Sequence, residues 1–291
     1  RWRWNMVNDF RPQSIESSGI KCYPTANYVN YYGMQNGYPI NDMTKADAES
    51  GYDPTHPWKN RDPRFYKTIM FDGVKWKSTG GAGGTAELFT GGRESEEANE
   101  KKGCFTAYMN SKLCPQLMNT VDGYKENNIM ILSLMRLADV YLMYAEATAV
   151  GYNGPKGKAA TYSLTAEEAL NKIRERAGVA PVLDKFLGST ADFLSELRRE
   201  RAVELSFEGF RFIDLRRWML LTQYPYTLKT KIEFDRADPS DYNYDEPEEN
   251  AIKNLREVVL LERKYTDRHY WYPLPKKDVS MYEGFYQNPG W

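Results

Sequence analysis

The chain has 291 residues, is 41% hydrophobic and 14% aromatic, and sets 39 basic against 40 acidic side chains for a formal net charge of −1. That supplies enough apolar residues for one large packed domain or two small ones. The balanced charge excludes the global basic field a nucleic-acid partner would require.

The opening stretch RWRWNMVNDF has no long apolar run, so no signal peptide is read there, and the chain starts as though cut from a longer one. Up to about residue 125, Pro, Gly, Asn and Tyr dominate, as in YPTANYVNYYGMQNGYPIND and STGGAGGTAELFTGG. Helical periodicity is weak in this part, which predicts loops with short strands or helical turns. The run FYKTIMFDGVKW is expected to form two strands meeting at the hairpin dipeptide Asp72-Gly73.

Beyond residue 125 the pattern becomes helical. The first helix is expected over about Ile129–Ala149, ending at Gly151. Its apolar stretch is long enough for a bilayer, but Arg136, Asp139 and Glu146 would be costly in lipid, so it reads as a buried helix. A second helix starts at Thr165 with Glu168 three residues on, a capping box, and stops at Gly178. A third begins at Ser189 or Thr190 and runs to about Phe207, with Gly209 as breaker; a short fourth is expected around Ile213–Leu221. Helices in succession with short joints suggest tetratricopeptide-like packing, although no clean 34-residue repeat is visible. The acidic DRADPSDYNYDEPEEN reads as an exposed loop, REVVLLERKY as one further element, and Asn288-Pro289-Gly290-Trp291 as a type II turn.

The densest pattern is ELRRERAVELSFEGFRFIDLRRW, residues 196–218. Glu196, Glu200, Glu204 and Glu208 recur every four residues and fall on one helix face, flanked by Arg198, Arg199 and Arg201 at ion-pairing separations. Six arginines meet five carboxylates, with Phe207, Phe210, Phe212 and Trp218 around Arg211. Arginines paired with carboxylates and stacked on rings make a rigid frame, so this stretch reads as scaffold rather than active site.

These residues resemble the SusD/RagB family. The resemblance is carried, in order, by NRDPRF at 60–65, LMRLADVYLMYAEA at 134–147, ALNKIRERAG at 169–178, RRERAVELSFEGFRFIDLRRW at 198–218 and YPLPKKDVSMYEGFYQNPGW at 272–291. It implies a mainly α, SusD-like fold: tetratricopeptide-like helix pairs with a large loop-rich region that holds short strands. Residues 1–125 would be the loop-rich, ligand-facing region and 126–291 the C-terminal helical region. It further implies a surface lipoprotein of Bacteroidetes, lipid-anchored to the outer membrane through an N-terminus that lies ahead of this sequence. Such a protein captures a glycan without cleaving it and passes it to a SusC-like TonB-dependent transporter. A peptide-binding, RagB-like member is the nearest alternative, and a glycoside hydrolase a more distant one.

Sugars offer apolar C–H faces to flat rings and hydroxyl rims to polar neighbours. On that basis Trp4, Tyr23, Tyr31 and Tyr32, with Asn5, Asn27 and Asn30 near them, are the candidate ligand contacts. Trp58 and Arg61 read as structural. No cofactor is expected. The two histidines, His56 and His269, have no companion at ligand spacing. Asp241, Asn243 and Asp245 start like a calcium loop, but Glu246 and Ile252 stand where Gly and Glu belong, which leaves only an irregular calcium site to consider. GGAGG is not followed by G-K-[ST], and no G-x-S-x-G occurs. Of the three cysteines, Cys104 and Cys114 either bridge in an exported protein or stay as buried thiols.

Overall fold

The computed structural model describes residue 12 and residues 23–40, 47–78, 84–98, 100–114, 119, 121–123 and 133–291. It is mainly helical with small two-stranded sheets. In the loop-rich part, α1 (Ala26–Val29) and α2 (Pro63–Thr68) precede β1 (Ile69–Met70). β1 pairs antiparallel with β2 (Met109–Asn110), Ile69 lying opposite Asn110.

The expected hairpin at Asp72-Gly73 does not form. Residues 63–68 are helical instead, because Asp62 caps α2 by accepting from the Arg64 amide at 2.9 Å and Pro63 takes the first helical position, where no N–H is needed. Asp72 is a buried anchor: it accepts from Arg236 Nε at 2.7 Å, Tyr242 Oη at 2.9 Å and the Leu88 amide at 2.8 Å. Gly73 follows at φ +83°, where a Cβ would press Pro247 at 2.8 Å.

The NRDPRF segment is thus structural from end to end. The Arg61 guanidinium is fully buried, donates to the carbonyls of Tyr32, Val29 and Pro57, and lies 4.7 Å from the Phe65 ring centre. Phe65 stacks on Phe71, and Phe71 on Trp58, at centroid distances of 5.2 and 5.0 Å. Phe234 closes this first core from β3 (Leu228–Arg236). Ile232 and Ile252 join it, so this core draws residues from both sides of residue 125.

The helical part holds a second core. α3 (Leu137–Gly151) packs on both α4 (Ala166–Ala177) and α5 (Thr190–Glu204) around Leu142, Leu170, Phe193 and Leu197. Ala138, Ala145 and Ala149 let α3 approach closely. α4 carries the expected capping box between Thr165 and Glu168 and ends on Gly178 at φ +74°. α5 starts from a Ser189 cap, and α6 (Phe210–Arg217) follows it. No helix among the described residues is long and apolar enough to cross a membrane. Cys104 is a free, buried thiol pushed up to about 11 by burial, and no Cys104–Cys114 bridge forms.

The REVVLLERKY element is the second half of a hairpin, β4 (Ile252–Glu262), antiparallel to β3 with Lys231 opposite Val258 and Arg236 opposite Ile252. On β3, Thr230, Ile232, Phe234 and Arg236 are buried while the residues between them are half-exposed. The acidic loop joins the two strands. Asn243 Oδ1 accepts from the amides of Asp245 and Glu246 at 3.0 and 3.1 Å, and Asn250 Nδ2 donates to the Asn243 carbonyl at 2.7 Å. Local amides thus engage the Asn243 side-chain oxygen, and no group of three or more Asp, Glu, His or Cys is placed to hold a metal ion among the described residues. α7 (Lys276–Val279) and the Asn288–Trp291 turn, with Gly290 at φ +85°, close the chain.

Candidate functional site

The arginine-rich stretch settles most of the scaffold question. Arg64 of α2 pairs with Asp62, Glu200 and Glu204; Arg174 of α4 pairs with Glu196 and Glu200. Arg136 and Arg176 share Glu204, and Arg136 with Lys112 holds Glu208. Arg201 joins Asp139 on α3 to Asp214 on α6, each at 2.9 Å. Every glutamate of the i, i+4 row is therefore neutralised between elements. Burial alone would raise the Glu200 carboxyl, but Arg64 and Arg174 beside it hold it at about 2.

The row is bordered by a cleft of about 570 Å³. α1 contributes Asn27 and the turn that follows it Asn30 and Tyr31, while Ala26 and Val29 face the core. α5 gives Arg198 and Arg199, and α6 gives Arg211. The segment between α6 and β3 adds Tyr224 and Tyr226, and the hairpin adds Thr230, Glu257 and Val259. Tyr28 fastens α1 to α5 by donating to the Ala202 carbonyl at 2.6 Å. Asn27 fastens it to the hairpin by donating to the Leu228 carbonyl at 2.8 Å.

The wall chemistry is aromatic and polar. Tyr224 is 76% exposed. The Arg211 guanidinium lies between two rings, 4.7 Å from the Tyr31 centre and 5.6 Å from that of Tyr226, and donates to Tyr31 Oη at 2.7 Å. Burial pushes the Tyr31 hydroxyl up against the opposing pull of Arg211, so it stays protonated at neutral pH. The Asn27 and Asn30 side-chain oxygens are buried acceptors with no partner. Flat rings, amide acceptors and guanidinium donors are the functional groups that grip a polyhydroxylated ring.

Of the residues singled out from sequence, Tyr31, with Asn27 and Asn30 beside it, stands in this cleft. Tyr32 is fully buried, its hydroxyl bonded to Ser206 Oγ at 2.7 Å. Tyr23 is 7% exposed, with its hydroxyl on the Lys102 carbonyl and its ring edge-on to Phe105. Both are corrected to core residues, since neither ring has a free face to offer. Trp4 and Asn5 lie outside the described residues. The sequence reading assigned Arg198 and Arg211 to the frame and passed over Tyr224 and Tyr226, all four of which line this cleft. The signal was present: Tyr-Pro-Tyr interrupts the chain between a helix and an alternating stretch, and six arginines against five acids leave a guanidinium over.

A model of the SusD family matches residues 2–291. The chain belongs to the SusD family. No curated protein matches it. Among solved structures, this SusD-family chain is similar to a SusD-like protein from Bacteroides fragilis NCTC 9343, at TM-score 0.69 and 21% identity, covering 98% of this chain and 51% of that one. It is also similar to a SusD-like carbohydrate-binding protein from the same organism, at TM-score 0.56 and 20% identity, covering 88% and 46%. The SusD-family chain thus spans about half the length of the solved relatives it matches. At these identities the likeness establishes the fold, mainly helical with small sheets, as the resemblance implied.

Proposed function

We propose that the protein is a non-catalytic glycan-binding protein of the outer cell surface that captures oligosaccharide for a TonB-dependent transporter. A lipid anchor ahead of this sequence would hold it at the membrane. The observation that carries the reading is the cleft: tyrosine rings 31, 224 and 226 beside amide and guanidinium groups, on a frame whose glutamate row is locked in ion pairs. The carbohydrate-binding description of one structural relative supports the same chemistry. Affinity would come from ring stacking plus peripheral hydrogen bonds. Confinement between the protein and its transporter would then raise the effective concentration of the ligand.

Calorimetry against a panel of oligosaccharides and a peptide pool tests this. Binding is expected to a glycan, with Tyr224→Ala and Tyr226→Ala each weakening it about tenfold, the equivalent of one lost stacking contact. Selective binding of peptides would favour the RagB-like reading, in which extended backbone finds hydrogen-bond partners. Shortened polysaccharide products, abolished by a single Asp or Glu substitution, would replace both readings with a hydrolase.

A further inference from the structure

Among the described residues, three arginines of the α5–α6 stretch make no ion pair, and Arg198 and Arg211 are the two of them that line the cleft. Arg199 is held by Glu196, Arg201 by Asp139 and Asp214, and Arg217 by Glu146 and Asp214. Arg216 donates to the Tyr270 carbonyl. Arg198 and Arg211 make no ion pair among the described residues. Arg198 lies 5.4 Å from the Trp218 ring centre, and its Nε is buried without a partner. Arg211 has its two tyrosine rings and one hydrogen bond, and its Nη1 is buried without a partner. A ring face compensates a cation by about 1–2 kcal/mol, and each unpaired buried N–H costs a comparable amount, so neither charge is settled internally.

Both arginines line the cleft already described. The acids there are engaged. Glu196 is shared by Arg174 and Arg199, and Glu257 accepts from Thr230 Oγ1 and from Asn30 Nδ2 at 3.5 Å. Lys229, on β3 beside the cleft residue Leu228, adds to the excess: its ammonium is pushed down to about 8 by burial and by the neighbouring Arg263 and Arg211 charges. The lining sets Arg198, Arg199 and Arg211 against Glu196 and Glu257, so the cleft keeps a positive excess even with Glu257 counted.

Resting on the glycan reading above, we infer that the saccharide held in this cleft is acidic, its anionic substituent neutralising Arg198 and Arg211 while its ring lies against Tyr224 or Tyr226. A forked guanidinium matches the coplanar oxygens of a uronate carboxylate and equally those of a sulfate ester. The two sources share one chemistry and are separated by the test.

Calorimetry with matched pairs carries that test: a uronate oligosaccharide against its carboxyl-reduced form, and a sulfated oligosaccharide against its desulfated form. One acidic member is expected to bind about tenfold or more tightly than its neutral partner, a preference that shrinks as salt rises. The pair that shows the gap identifies carboxylate or sulfate. Arg211→Gln also releases the Tyr31 hydroxyl, so Arg198→Gln, which gives up only ring stacking, is the cleaner variant. It should weaken the acidic member about tenfold and the neutral member less than about threefold, closing the gap. Equal affinity within both pairs, or an equal loss of both members on Arg198→Gln, overturns the inference while leaving neutral-glycan capture intact. Failure of every saccharide alongside peptide binding removes the inference and the glycan reading together.

Discussion

Lys229 shows at the scale of one residue what the unmatched wall does to stability. Burial, then Arg263 and Arg211, lower its ammonium from 10.5 to about 8. For a base whose folded value lies below its unfolded one, folding carries a penalty wherever the unfolded chain holds the extra proton. That penalty is present at neutral pH and fades as pH rises from 8 towards 10.5. Lys229→Met keeps the length of the stem and removes the charge. It should stabilise the protein by about 1 kcal/mol at pH 7 once solvent screening is allowed for, and by nothing measurable near pH 10. Urea unfolding at the two pH values checks this, and an unstabilised variant at pH 7 would show that the ammonium is solvated after all. Single residues are also where sequence reading is weakest. Tyr31 and Tyr32 are neighbours in one tyrosine-rich run, yet the turn that follows α1 sends one to the cleft and one to the core. Composition marks both rings; only the packing of α1 on α5 and the hairpin decides which keeps a free face.

Elements were legible where local chemistry fixes them. The Thr165–Glu168 capping box and the Gly178 stop give α4 its ends from sequence alone, and the glutamate row of α5 announces its own partners. β3 was not recognised, although Thr230, Ile232 and Phe234 alternate with charged residues, because its outward Lys and Glu lower the apolar content of the stretch. β1 was assigned to the wrong partner because its pairing with β2 is non-local and leaves no mark on neighbouring residues. The α5 row has a measurable consequence. Burial would raise Glu196, Glu200, Glu204 and Glu208, but arginine or lysine partners lower all four, Glu200 from 4.5 to about 2. A carboxyl depressed in the folded state stabilises it above the unfolded value, and that contribution is lost as pH falls through the folded one. Melting temperature should therefore hold steady from pH 8 to pH 5 and fall steeply between about 4.5 and 2, with Glu200 alone accounting for about 3 kcal/mol. Glu200→Gln should melt lower at pH 7 and lose less on acidification. A variant whose acid slope equals that of the parent would show that other carboxylates set the slope.

Among the described residues the two larger apolar cores of the molecule meet at a polar joint. Trp58, Phe65, Phe71 and Phe234 form the first, and Leu142, Leu170, Phe193 and Leu197 the second. α5 serves both, giving Val203 to the first and Phe193 and Leu197 to the second. Across the joint, Glu200 is gripped from the first core by Arg64 on α2 and from the second by Arg174 on α4. A buried ion pair adds little over a well-packed apolar contact, but removing one partner costs about 3–5 kcal/mol because it strands the other. Arg64→Met takes the paired cation from Asp62 and leaves it the cap bond from the residue-64 amide, whereas Glu200 keeps Arg174, and Glu204 keeps Arg136 and Arg176. The damage should therefore fall on the α2 side and leave the helical core close to intact. The parent is expected to unfold in one calorimetric transition, with calorimetric and van't Hoff enthalpies in agreement. In Arg64→Met the endotherm should split, the loop-rich core melting first and the α3–α5 core near the parent temperature. A single, uniformly lowered transition with matching enthalpies would mean that the two cores are coupled through α5 itself, and that the arginine bridge contributes stability without setting cooperativity.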